Sequence, residues 1–219
     1  MTASRAVRLP FVVWLAAMLT YFSSQLSAQD ADFRILNSLQ ESRTSAMNGA
    51  MSFTSNTLFA TPAVPLGLIG AGLATDNQEV LRSGYITGVA WVATLAITEG
   101  LKFTVQRPRP YKAYPDRLHP VRTTVGYSFP SGHTSLCFAT AVSLSLCYPE
   151  WYVVVPSLLW ATGVGFSRLY LGVHYPSDVA FGAVVGTLTA LLVHSLCRDR
   201  WQDTPQPAPK FMIPISISF

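Results

Sequence analysis

The sequence predicts an all-α integral-membrane bundle of five or six transmembrane helices, and three observations lead there. Only 12% of the 219 residues are charged while 50% are hydrophobic, about half the charge that clothes an ordinary soluble domain. Mean hydropathy is +0.32, so the apolar excess needs lipid or another chain to cover it. Six stretches are apolar enough and long enough to cross about 30 Å of hydrocarbon as helices, which takes roughly 17 to 25 residues each. A chain of this length holds one domain.

Those stretches run 9–28, 57–75, 83–101, 131–148, 151–166 and 179–196. Arg5 and Arg8 precede the first, and Ser27 and Ala28 end it. Residues 1–28 therefore read either as a cleavable secretory signal or as a first transmembrane helix, and both place Gln29 outside the cytoplasm. Residues 29–56 are polar, with Phe33, Leu36, Leu39 and Met47 spaced as the apolar side of an amphipathic extracytoplasmic helix on the membrane surface. Residues 57–200 form the helical core. The fifth stretch is the shortest, and Trp151 and Tyr152 at its start suit an interfacial anchor. Residues 201–219 are a Pro-rich tail that ends in strand-like alternation: Phe211, Ile213, Ile215, Ile217 and Phe219. One strand cannot close an outer-membrane barrel, which favours a sticky or disordered end. Cys137, Cys147 and Cys197 lie in apolar runs without metal-type spacing and read as packed thiols.

The net charge is +4, and its distribution argues against nucleic acid as the partner. Lys102, Arg107, Arg109, Lys112, Arg117 and Arg122 crowd one segment against a single Asp116, a pattern suited to one anionic ligand at one place. Following the chain from an extracytoplasmic Gln29 puts 76–82 and 149–150 inside, and 102–130 and 167–178 together outside. Six Lys and Arg then lie inside and nine outside, against the positive-inside rule. Setting Lys102, Arg109 and Arg168 aside as site residues leaves a tie that Arg5 and Arg8 decide.

Three clusters on that shared face carry chemistry. At the end of the third stretch come Lys102 and, seven positions on, Arg109-Pro110. Pro108 and Pro110 break the helix and hold Arg109 in an extended turn. Lys supplies a point charge and Arg a planar fork, both suited to phosphate oxygens. Taken alone, this cluster also fits a basic flank on lipid headgroups. The second is Pro130-Ser131-Gly132-His133 at a helix entry, where Ser131 can cap and exposed backbone N–H groups favour an anion; a cap with an incidental His is the plain alternative. The third is Ser167-Arg168, then His174 and Asp178. Pro176 fits a first helical turn, which brings the Asp178 carboxylate near the His174 imidazole. A structural ion-pair network would use the same residues.

Together the clusters read Lys, six residues, Arg-Pro; Pro-Ser-Gly-His; Ser-Arg, five residues, His, three residues, Asp. In this the sequence resembles the type 2 phosphatidic acid phosphatase family, which shares fold and site with vanadium-dependent haloperoxidases. The resemblance covers roughly 57–196. It implies a two-step mechanism without metal or cofactor, in which His174 attacks phosphorus and Asp178 orients and stabilises it. It further implies that Lys102, Arg109, Ser131, Gly132 and Arg168 bind phosphate oxygens, and that His133 protonates the leaving group and then assists water. The substrate it implies is a membrane lipid phosphate, among them phosphatidic acid, phosphatidylglycerol phosphate, undecaprenyl diphosphate and the phosphates of lipid A. Partners expected are that lipid and the bilayer, with no nucleic acid and no obligate protein. The expected location is the bacterial inner membrane with the site facing the periplasm. A lipid phosphotransferase or vanadium haloperoxidase on the same scaffold, and a non-catalytic phospholipid-binding protein, are the alternatives. Around the site, Arg107, Lys112, Arg117, His119 and Arg122 read as a solvated loop, Glu99 as a partner for Lys102, and Tyr170 and Tyr175 as interfacial aromatics. His194, near the opposite end of the last helix, is given no function.

Overall fold

The computed structural model describes residues 25–201, with side chains from 31 to 197. The tail, and the 1–28 segment apart from residues 25–28, lie outside the described residues. The described chain is all-α: α1 Gln25–Glu41, α2 Ser45–Asn56, a 3-10 turn Thr57–Ala60, α3 Ala63–Ala74, α4 Gln78–Val105, the short α5 Pro110–Ala113, α6 Gly132–Cys147, α7 Trp151–Tyr170 and α8 Pro176–Trp201.

Local chemistry sets the boundaries. Thr44 caps α2 by accepting from the Met47 N–H, and Asn77 caps α4 by accepting from those of Glu79 and Val80. α4 ends at Val105 because Gln106 turns left-handed at φ 51° and Pro108 cannot continue a helix. α2 and its 3-10 turn run into α3 with a 42° bend. Pro62 stands in that break and supplies no N–H to bridge it.

α6 is the hub, packed against α4, α7 and α8, while α3 pairs with α4 and α2 lies along α7. The bundle is dressed as lipid requires. Its interior holds small and hydroxyl-bearing residues, among them Thr87, Thr94, Thr98, Thr134, Ser135, Ala139 and Thr140. Large apolar side chains point out, including Phe53, Phe59, Phe103, Trp151, Leu159 and Leu192. The segments Gln78–Ala113 and Pro176–Cys197 are long and apolar enough to cross a membrane alone, and the bent α2–α3 path qualifies as a pair. At 16 residues, α6 is about 24 Å long, shorter than the hydrocarbon layer, and relies on its neighbours for cover.

α1 differs from a helix lying freely on the membrane surface. Its Leu36 is 1% exposed and packs with Leu118 and Tyr175, joined by Phe33, Tyr114 and Leu169. The apolar stripe thus faces protein loops, because those loops present an aromatic surface of their own.

Two glycines set the closest helix contact. A Cβ at Gly182 would lie 2.8 Å from the Ser131 carbonyl oxygen, and one at Gly186 would lie 2.1 Å from that of Ser135. Backbone meets backbone there, the small-residue packing that membrane helices use. Gly186→Val should destabilise the bundle by about 2 kcal/mol, the cost of forcing extra methyl groups into a packed contact. Unfolding in mixed micelles measures it, and wild-type stability would contradict the contact.

Candidate active site

The α6–α8 contact brings two helix N-termini together, and the Ser131 N–H donates to the Asp178 carbonyl at 3.1 Å. The last turn of α4 joins them: the Lys102 ammonium lies 3.3 Å from where a Cβ on Gly132 would stand. Lys102 also donates to Glu99 at 2.6 Å, the pairing its spacing predicts. Ser131 occupies the N-cap position of α6, but its side chain makes no cap bond. Its hydroxyl accepts from Thr134 at 2.9 Å instead.

His174 sits in the loop between α7 and α8, 2% exposed. Its Nδ1 lies 2.7 Å from the Ser128 carbonyl oxygen. A carbonyl can only accept, so the Nδ1 proton is fixed there and Nε2 is left unprotonated, as an acceptor. Arg109 Nη1, which can only donate, donates to that Nε2 at 3.2 Å. Burial pushes the His174 pKa down to about 4; Asp178 opposes this by hydrogen bonding, and the charge of Arg168 reinforces it. Asp178 Oδ2 is 3.5 Å from Nδ1, so the carbonyl, rather than the carboxylate, makes the short bond expected of Asp178. The carboxylate lies behind the ring, accepting from the Tyr175 N–H at 2.9 Å.

Arg109 has the extended backbone its flanking prolines impose, φ −70° and ψ 154°. Its guanidinium donates to the carbonyls of Gly126, Val125 and Val173 at 3.1, 2.9 and 2.9 Å, pinning the 109–130 loop beside His174. Arg168 is 1% exposed and donates to the Ser55 hydroxyl, while its Nε is buried without a partner. His133, one step inside α6, has its Nε2 buried without a partner, and the exposed Phe59 ring stands 6.3 Å away. Lys102, Arg109, Ser131, Gly132, His133, Arg168, His174 and Asp178 thus all lie on the elements that converge at this end of the bundle.

Two arginines depart from the solvated loop that composition implied. Arg107 donates to Asp178 Oδ1 at 2.7 Å and to Asp32 Oδ2 at 2.9 Å, and lies 3.8 Å over the Tyr175 ring. Arg122 reaches Asn56 at 2.8 Å and Ser55 at 3.2 Å, sharing that hydroxyl with Arg168. Both become fixed because α1 and α2 fold over the loop, which no local pattern announces. Lys112, Arg117 and His119 are exposed as expected. Tyr170 is buried, and its hydroxyl accepts from the Thr44 N–H. Ser55, Asp32 and Ser128 carried no signal in the sequence beyond being polar residues near apolar ones.

A family model for the PAP2 superfamily matches residues 84–202. The chain belongs to that superfamily. It is 35% identical over 86 residues to a lipid A 4′-phosphatase of Bacteroides thetaiotaomicron, covering 37% of this chain and 38% of that protein. It is 30% identical over 116 residues to an undecaprenyl-diphosphatase of Sulfolobus acidocaldarius, covering 52% and 55%. The chain thus spans between about two fifths and just over half of those two curated relatives. Among solved structures, a transmembrane PAP2-type phosphatidylglycerolphosphate phosphatase from Bacillus subtilis superimposes with a TM-score of 0.68 at 26% identity, over 91% of this chain and 98% of that one. The superfamily's membrane helical fold is therefore the fold of this chain, and the protein is an integral membrane protein.

At this end of the bundle the Arg107 bridge should carry much of the local stability. Arg107→Met leaves Asp178 buried without its cationic partner and should cost about 3 kcal/mol, as breaking buried pairs does. Thermal unfolding in detergent checks this, and an unchanged midpoint would show the pair to be idle.

Proposed function

We propose that the protein is a membrane phosphatase that hydrolyses lipid phosphate or isoprenyl diphosphate esters through a phosphohistidine. One observation carries the reading: the unprotonated His174 Nε2 accepts from Arg109, with its other nitrogen fixed on the Ser128 carbonyl. A neutral, buried, oriented imidazole with cations about it is suited to attack a bound phosphate. The superfamily membership and the phosphatases among its relatives support the same conclusion.

In the first step Nε2 forms a bond to phosphorus and the bond from phosphorus to the leaving oxygen breaks in line. His133 gives its proton to that oxygen, which departs as the lipid alcohol, or as the lipid monophosphate if the substrate is a diphosphate. In the second step His133 takes a proton from water, the water oxygen bonds to phosphorus, and the Nε2–phosphorus bond breaks to release inorganic phosphate. Lys102, Arg168 and the N–H groups at the start of α6 bind the non-bridging oxygens. Ser131 and Gly132 supply that start, Gly132 leaving room for the Lys102 ammonium. Arg109 already donates to three carbonyls and to the His174 ring, so its main contribution is charge and the orientation of His174. Asp178 faces the Nδ1 side of the ring and stabilises its positive charge after phosphorylation.

A lipid substrate is supported by Phe59, 73% exposed with its ring beside His133, which offers an apolar approach to the charged site. Arg5 and Arg8 before the first apolar stretch, by the positive-inside rule, support a site facing the periplasm of a bacterial inner membrane.

Purified protein in detergent should release phosphate from at least one of phosphatidic acid, phosphatidylglycerol phosphate, undecaprenyl diphosphate and lipid A. His174→Ala should lose about 10³-fold or more, as loss of a nucleophile does; a variant that keeps wild-type rate removes the mechanism. The pH dependence follows from the lowered His174 pKa of about 4. The imidazole keeps its lone pair as pH falls through 6.5 and loses it only near the lower value. With substrate ionisation divided out, the acid limb of kcat/KM should lie nearer 4 than 6.5. A limb at the ordinary histidine value would contradict the buried, neutral ring.

A further inference from the structure

We propose that Asp32, on the helix upstream of the family-matched region, is a positioning residue for phosphoryl transfer, acting through Arg107 to hold and charge the Asp178 carboxylate behind His174. This rests on the phosphohistidine reading above and adds a residue that the superfamily match, beginning at 84, does not include.

Asp32 is 4% exposed, unusual for a carboxylate on a helix at the edge of the bundle. Both of its oxygens are used. Oδ1 accepts from the Ser177 N–H at 3.0 Å, in the first turn of α8. Oδ2 accepts from the Ser177 hydroxyl and, at 2.9 Å, from Arg107 Nη2. Arg107 Nη1 bonds in turn to Ser177 and to Asp178 Oδ1, each at 2.7 Å. The order Asp32, Arg107, Asp178 therefore alternates negative, positive, negative.

That alternation matters to the histidine. Arg107 alone would neutralise Asp178 and leave little to stabilise the positive ring of a phosphohistidine. Asp32 offsets Arg107, so the triad keeps one net negative charge facing His174. The other charged or titratable groups about the site are Arg109 from the 106–130 loop, Arg168 from α7, His133 from α6 and Lys102 from α4, which is paired with Glu99. Asp178 is the carboxylate that acts on the His174 ring. Asp32 also fixes the arm: with two Ser177 contacts and one to Arg107, it sets where the guanidinium holds Oδ1 and hence where Oδ2 faces the imidazole.

Asp32→Asn keeps the shape, removes the charge and turns one accepting atom into a donor facing Arg107. In the full chain it should lower kcat about 10-fold with KM within about twofold, and move the acid limb of kcat/KM downward by about half a pH unit. Asp32→Glu keeps the charge on a longer arm and should lose rate while holding the wild-type limb. Glu41→Gln, on the exposed side of the same helix, should leave both unchanged. Histidine-labelled protein followed by NMR gives an independent arm, in which the His174 titration midpoint should fall in Asp32→Asn whether or not a given lipid is turned over.

Residual activity in Asp32→Asn with a wild-type limb and an unmoved His174 titration would reduce Asp32 to packing and overturn the proposal. If that variant is not recovered folded, Asp32→Glu decides: several-fold loss of kcat at constant KM supports positioning, and wild-type kcat overturns it. A wild-type protein that releases no phosphate from any lipid in the panel removes the phosphatase reading instead, and the NMR arm still tests the coupling.

Discussion

Gly182 and Gly186 let the backbone of α8 lie against the backbone of α6, and the geometry of the site depends on that contact. Lipid gives membrane helices no hydrophobic reason to associate, so close approach and polar bonds must hold them. Here close approach does more than hold. It registers the two helix N-termini, so that the Ser131 N–H meets the Asp178 carbonyl. The Pro-Ser-Gly-His entry of α6 and the His-Asp entry of α8 then face one volume. The end of α4 completes it through Lys102, whose ammonium fits because residue 132 has no side chain.

Buried charge imposes the second constraint. Each arginine at this end of the bundle has found a different solution to desolvation. Arg107 is enclosed by two carboxylates, and Arg109 by three backbone carbonyls and an imidazole. Arg168 and Arg122 share one serine hydroxyl and have no carboxylate within ion-pair distance among the described residues. The first two brace the loops. The last two leave positive charge uncompensated next to His133, and Arg168 also next to His174, which is the condition an anionic substrate relieves.

How much of this the sequence showed can be followed residue by residue. The helices were legible because apolar runs and their breakers act locally: Pro108 and Pro110 end α4 and extend Arg109 wherever the chain goes next. Lys102 and Glu99 are one turn apart and pair as that spacing dictates. Arg107 misled, since a basic residue just before a proline in a polar segment looks solvated. Its partners come from 75 residues earlier and 71 later, at Asp32 and Asp178. The His174 orientation was partly legible: Asp178 four residues on predicts proximity, but the Ser128 carbonyl that fixes Nδ1 belongs to a loop 46 residues upstream. The surface helix expected at 29–56 became a docked α1, because the apolar stripe around Leu36 meets Tyr175 and Leu118 before it meets lipid.

By itself, then, the sequence determined the membrane class, the helices and the chemical types at each helix end. Composition and short-range spacing suffice for those, since they depend on transfer to lipid and on bonds within a turn or two. Which groups are paired and which are left bare was decided only by tertiary structure. Hydrogen-bond partners compete across the whole bundle, and a carbonyl or carboxylate brought in from a distant helix leaves no mark on the residues beside the one it satisfies. Lys102, Arg109, His133, Arg168, His174 and Asp178 were visible as a pattern; that His174 turns an unprotonated nitrogen to the cations, with Asp32 and Arg107 set behind Asp178, came from the fold.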